Sequence, residues 1–148
     1  MKLSKKSRYG LTALVDLSIH SKNERVALNS IAERNNISPQ YLEQVFASLR
    51  RAGILKSMKG SQGGYLLNDS PDKITVSEVI EALEGTYHIA DEDTPEESAS
   101  RGISDAIQSL IIDPVNGRLD DILKNITLAD LQKVYLDNHS YSQDMYYI

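Results

Sequence analysis

Between residues 6 and 21, Leu11, Leu14, Val15 and Leu17 recur at a spacing that predicts a helix with a broad apolar face. A second, short helix is expected from Leu28 to Asn35, with Ile31 and Ala32 turned inward and Asn29 or Ser30 as its cap. Asn35-Asn36 breaks that pattern. Ser38-Pro39 then opens another helix, because a serine hydroxyl accepts from a free first-turn amide and proline suits the first helical position. Leu42, Val45, Phe46 and Leu49 follow at i, i+3, i+4 and i+7, which leaves Gln40, Glu43, Ala47, Arg50 and Arg51 mostly on other faces. At Gly53 the period changes. Ile54–Met58 and Tyr65–Leu67 are short strand candidates, and Lys59-Gly60-Ser61-Gln62-Gly63-Gly64 between them suits a β-hairpin. Thr75-Val76-Ser77-Glu78 has the form of a capping box for a helix on Val76, Val79, Ile80 and Leu83, closed by Gly85.

The second half is patterned differently. Residues 86–101 are acidic and without period, as in an exposed loop. Ile103, Ile107, Leu110 and Ile111 return to helical spacing, and Asp113-Pro114 reads as a restart or a kink. Leu119, Ile122, Leu123 and Ile126 form a second stripe, and Thr127-Leu128-Ala129-Asp130 opens a last short helix. Asn138 to Asp144 is polar and expected to be mobile. The sequence ends on an apolar-aromatic cluster, Met145-Tyr146-Tyr147-Ile148.

The 148 residues suffice for one domain, or for a small domain with an oligomerisation element. Hydrophobic residues at 41% and charged residues at 25% suit a globular protein. No apolar run could span a bilayer and no signal peptide is visible, so a cytoplasmic protein is expected. Cysteine is absent, which removes disulfides, thiolate nucleophiles and Cys-held zinc or iron–sulfur clusters. The net charge of -5 divides unevenly: residues 1–60 carry eleven Lys or Arg against four Asp or Glu, and residues 74–148 carry four against fifteen. A basic half can meet a polyanion while an acidic half stays clear of it, although a solvated surface can also be charged in this way.

Three short helices followed by a glycine-tipped hairpin give the order of a winged helix-turn-helix, a mainly α fold with a small β wing. The helix over 39–52 would lie in a DNA major groove. Gln40 and Gln44 can pair bidentately with adenine, and the Glu43 carboxylate can accept from cytosine N4. Ser38, Tyr41, Arg50 and Arg51 suit phosphates, which set register. Lys56 and Lys59 flank the hairpin, and the Gly60-Ser61-Gln62 tip lets backbone approach a phosphate or enter a narrow groove. The plainer reading makes Glu43 an ordinary exposed residue and the glycines mere turn formers. A nucleotide-cradling loop is disfavoured, because the stretch lacks the Gly-Lys-Ser/Thr ending of a P-loop. No catalytic grouping stands out at local spacing, so an enzyme is not expected.

Ser7-Arg8-Tyr9-Gly10-Leu11-Thr12, Ser38-Pro39-Gln40-Tyr41-Leu42-Glu43-Gln44, Leu49-Arg50-Arg51-Ala52-Gly53 and Lys59-Gly60-Ser61-Gln62-Gly63-Gly64-Tyr65-Leu66-Leu67 resemble, in order, the signature blocks of the Rrf-two family of bacterial regulators. Ile126-Thr127-Leu128-Ala129-Asp130-Leu131 is similar to its closing motif. The resemblance implies a homodimer on a palindromic operator, held by a long helix in the C-terminal half, here through Ile107, Leu110, Ile111, Leu119, Ile122 and Leu123. It also implies base contacts from Gln40, Glu43 and Gln44, and minor-groove insertion by a basic wing residue. Many members have Arg there; this chain has Lys59, which lacks the planar fork. The chain then divides into a winged head (1–85), an acidic loop with dimerisation helices (86–137) and a flexible tail (138–148). The stretch from 86 to 125 departs most from the family.

Several members hold an iron–sulfur cluster through three cysteines after the helix that follows the wing; without cysteine no such cofactor is expected here. His88 with Asp91, Glu92 and Asp93 offers imidazole and carboxylates, but an ordinary solvated loop has the same look, and no metal site is assigned. The cysteine-free composition and the aromatic-aromatic-Ile ending resemble the branch of the family that represses sulfur and cysteine metabolism genes. That branch implies cysteine synthase as a partner for Tyr146, Tyr147 and Ile148, in the manner of the C-terminal Ile of serine acetyltransferase. Backbone amides can hold a free carboxylate while the apolar side chain fills a pocket. Equally open is a tail folded back on the dimer. A regulator with a small-molecule input, and an interaction adaptor that no longer binds DNA, are the other readings.

Overall fold

The computed structural model describes residues 3–22, 24–60 and 63–146, with only the backbone course given from 140 onward. Helix α1 (Lys5–Ser21) is capped by Ser4, whose hydroxyl accepts from the Ser7 amide at 3.3 Å. Its inner residues Ala13, Leu14 and Leu17 are fully buried. Helix α4 (Val76–Glu84) packs so closely on α1 at Gly10 that a methyl there would run into the Leu83 side chain. The buried Ser7 hydroxyl donates to Glu84 at 2.5 Å and ties the same two helices.

Helix α2 (Leu28–Asn35) starts earlier than a cap at Asn29 or Ser30 would allow. Ala27 is the cap residue and makes no side-chain bond; its carbonyl accepts from Ser30 and Ile31. The entry is set from outside, by strand pairing at Val26, and so needs no capping side chain. The helix ends at Asn36, in the left-handed conformation that asparagine tolerates, with the Ile37 amide bonded back to Ala32 at 2.9 Å. Helix α3 (Pro39–Arg51) follows at once, capped by Ser38. Leu42, Val45, Phe46 and Leu49 are all fully buried, so one side of α3 is sealed into the core.

The hairpin pairs β1 (Leu55–Ser57) with β2 (Tyr65–Leu67), antiparallel, in the register Leu55 with Leu67 and Ser57 with Tyr65. The strand β1 is shorter than the apolar pattern suggests, although its flanks still bond across the hairpin: Met58 donates to the Gly64 carbonyl at 2.8 Å and the Ile54 carbonyl accepts from Asn68 at 3.0 Å. Val26 bonds to the free edge of Tyr65 in both directions, at 3.1 and 2.9 Å, and so adds a third chain to the wing. Phe46 anchors that sheet from below, edge-on to Tyr65 at 4.9 Å between ring centroids.

Past α4, residues 86–99 form no helix or strand, as expected, yet they are tethered. The Asn116 side chain bonds the Ile89 backbone both ways, at 2.8 and 3.1 Å. At Asp113-Pro114, read from the sequence as a restart or a kink, α6 begins directly after a widened turn, within one continuous helical run. Helix α5 (Arg101–Ile107), a π segment (Gln108–Ile112) and helix α6 (Asp113–Leu123) succeed one another without a gap. Proline has no amide to offer the carbonyl four residues back and its ring crowds it. Just before the proline the chain makes a π turn, in which the Asp113 amide donates to the Gln108 carbonyl.

Helix α7 is longer than the expected short helix, for it extends from Leu128 to Tyr146, through most of the stretch read as a tail. No glycine or proline stands between those residues to stop it, although the stretch from Asn138 to Asp144 is polar. Thr127 and Asp130 cap it reciprocally, at 2.9 and 3.2 Å. Backbone bonds from Val76 to Ile126 and from Leu128 to Ile74 staple its start to that of α4, with Leu128 fully buried.

Candidate nucleic-acid interface

The sealed inner face of α3 fixes what its outer face presents. Gln40, Glu43 and Gln44 are exposed and lie one turn apart on the same side. Ser38, at the helix mouth, accepts from the Tyr41 amide at 3.2 Å and lies 3.2 Å from the Gln40 side-chain oxygen. Tyr41 is half-buried and edge-on to Tyr9 at 5.7 Å, which holds its ring beside the helix start. Arg50 is exposed at the other end, its guanidinium 3.5 Å from the Ser57 hydroxyl on the wing, and Arg51 bonds Ser48 at 3.2 Å. The structure therefore brings the two glutamines, the glutamate and the two arginines onto one open surface.

Lys56 on β1, Lys59 and Gly60 are exposed beside that surface. Ser61 and Gln62 lie outside the described residues. Arg25, not singled out by sequence pattern, stands against the wing: its guanidinium donates to the Lys59 carbonyl at 3.4 Å. Its only signal in the sequence is a short stretch, Arg25-Val26, of a kind that pairs as readily as it loops.

The scaffold beneath is fixed electrostatically. Asp16 of α1 is 8% exposed and receives a fork from Arg34 of α2, at 2.6 to 3.2 Å, and a bond from Asn35 at 2.9 Å. Burial pushes its carboxyl up, but the bonds from Arg34 and Asn35 and the Arg34 charge outweigh burial and hold it below the ordinary aspartate value. A second network joins the loop to α6. Tyr87 donates to Asp120 at 2.5 Å, His88 Nε2 lies 2.8 Å from the same oxygen, and the Tyr87 and Ser77 hydroxyls are 3.3 Å apart. Those hydrogen bonds, Tyr87 first and His88 next, keep Asp120 below the usual range.

Of the residues expected to dimerise, Ile107, Leu110, Ile111 and Ile122 are exposed, Leu110 by 77%, while Leu119 and Leu123 are half-buried. Ile103 extends the same apolar surface. Tyr146 closes α7, its side chain not described, and Tyr147 and Ile148 lie outside the described residues.

A family model described as Rrf2, iron-dependent transcriptional regulator, matches residues 3–134. The chain belongs to the Rrf2 family. Its relatives include the transcriptional regulator CymR of Bacillus subtilis, 37% identical over 148 residues and covering all of both chains. The regulator IscR of Erwinia tasmaniensis is 37% identical over 131 residues, covering 88% of this chain and 78% of its own. In the solved structures, CymR, the global cysteine regulator of B. subtilis, superposes with a TM-score of 0.75 at 36% identity, over 90% of this chain and 98% of that one. This Rrf2 chain is thus a DNA-binding transcriptional regulator of winged-helix fold, and its relatives carry regulator names, not enzyme names.

The family description speaks of iron, and the residues here do not fit a thiolate-held cluster: the sequence has no cysteine. In the loop after α4, His88 faces Asp120 and not Asp91, Glu92 or Asp93; Asp91 accepts from Gln108 at 2.8 Å. Among the described residues no three His, Asp or Glu side chains are grouped to hold a metal ion, and no helix is long and apolar enough to cross a membrane.

Proposed function

We propose that this Rrf2 protein is a homodimeric repressor of sulfur and cysteine metabolism genes that reads a palindromic operator. The observation that carries the reading mode is the face of α3: Gln40, Glu43 and Gln44 exposed together on a helix whose opposite side is fully buried. Such a helix enters a major groove as a rigid body and presents its first two turns to base edges. Ser38, Tyr41 and Arg50 take phosphates at its two ends, and Lys56, Lys59, Gly60 and the Ser61-Gln62 tip address the adjoining groove.

The dimer rests on the apolar stripe of α5 and α6. Ile103, Ile107, Leu110, Ile111 and Ile122 form a surface that a lone chain leaves open to water, and a second copy related by a two-fold axis covers it. Leu119 and Leu123 flank the contact. The choice of pathway rests on the full-length likeness to CymR. The same likeness supports cysteine synthase as the modulating partner of Tyr146, Tyr147 and Ile148, with the Ile148 carboxylate held by backbone amides. No thiolate-held iron–sulfur cluster is part of this reading, because the sequence has no cysteine.

A groove of about 530 Å³ lined by Leu11, Val15, Ile19 and Leu131, with Arg8 and His20 at hand, favours a second reading of the input, a small apolar-acidic effector. Binding of purified protein to genomic DNA fragments separates the pathway readings: a palindrome upstream of sulfur-metabolism genes is expected, and enrichment elsewhere contradicts the pathway. Deleting Ile148 is expected to weaken cysteine synthase binding and to leave bare DNA binding intact. Unchanged synthase affinity leaves the small-molecule reading.

A further inference from the structure

We infer that Arg25 is a positioning residue of the wing, a strap that holds Lys59 where it meets DNA. The inference rests on the DNA-binding reading and adds to it a residue from outside the helix-turn-helix and the hairpin. Val26 bonds Tyr65 both ways, which sets the neighbouring Arg25 against the glycines that lead into β2. The Arg25 stem fills the space a side chain at Gly64 would need: a methyl there would lie 3.0, 3.1 and 3.3 Å from its Cβ, Cγ and Cδ. Farther out, Nη1 lies 3.0 Å from where a methyl on Gly60 would stand, and donates to the Lys59 carbonyl. One side chain therefore runs across the wing from the start of β2 to the residue before its tip.

The physical need for such a strap is plain. Gly60 and Gly64 have φ of +142° and +128°, conformations open to glycine and to little else, so the wing backbone has unusual freedom to lose on binding DNA. A long stem laid along that backbone removes part of the freedom beforehand and lowers the ordering cost of association. At 3.4 Å the bond to Lys59 is long, so packing carries more of the effect than the hydrogen bond. The bond is nevertheless made to the backbone of the wing lysine itself, which couples the position of Arg25 to that of the Lys59 ammonium.

The test is a double-mutant cycle on the full chain, read as affinity for its selected DNA by fluorescence anisotropy. R25A and K59A are each expected to lose about tenfold, the size of one well-placed contact. The double variant should lose little more than the worse single one, because Arg25 acts through Lys59. R25K keeps the stem and should recover most of the R25A loss. Losses that multiply in the double variant would overturn the strap, as would an R25A protein that binds like the parent while K59A and Q40A do not. If the parent itself shows no sequence-selective binding, the DNA reading fails separately. Amide relaxation then decides the strap alone: R25A must raise the fast motion of residues 59, 60, 63 and 64 with unchanged melting of the head, and unaltered relaxation refutes it.

Discussion

Asp16 and Arg34 join α1 to α2 where the helix-turn-helix needs a fixed angle, and their pairing makes a prediction about acid. The Asp16 carboxyl is held below its ordinary value, so its contribution is fully present above about pH 3.9, the ordinary aspartate value, and is lost as pH falls through the folded value. Melting temperature should therefore drop on acidification more steeply for the parent than for D16N. At neutral pH the same variant should lose about 1–3 kcal/mol, because the Arg34 fork keeps part of its solvation while losing its anion. Glu43 makes a different prediction, about discrimination. E43A should keep most of the affinity but lose about 1–3 kcal/mol of preference at a single operator position, measured against a panel of single-base operator variants. Equal loss on every DNA would make Glu43 a general contact and not a reader.

Helix α3 is legible in the amino-acid sequence because two independent signals agree there: Ser38-Pro39 marks its start and the stripe from Leu42 to Leu49 marks its inner face. The hairpin is legible for the same reason, through Gly53 and the glycines after Lys59. The third chain of the wing is not, because a single paired residue, Val26, has no period to detect. The length of α7 is hidden by composition: Asn138, Ser140 and Ser142 read as loop, but nothing in the stretch forbids a helix once its first turn is pinned. That pinning is testable. T127A should destabilise the protein by about 1 kcal/mol through loss of the cap, seen as a lower midpoint in urea. An unchanged midpoint would assign the α7 start to the Ile74 and Ile126 backbone bonds alone.

The whole molecule separates its charges as it separates its tasks. The basic head carries the exposed face of α3 and the wing, and the acidic half carries α5, α6 and α7, with the α4–α6 network of Ser77, Tyr87 and Asp120 between them. The exposed stripe on α5 and α6 predicts that L110D, or L110D with I111D, turns a dimer into a monomer by light scattering; a parent that is monomeric at micromolar concentration contradicts the dimer. Selection of bound duplexes from a random pool by the purified chain bears most directly on what this protein does. Two inverted half-sites about one helical turn, roughly 10 bp, apart should emerge, with affinity that falls steeply as salt rises. A recovered pool with no shared sequence, or binding indifferent to salt, would contradict a winged head that reads DNA.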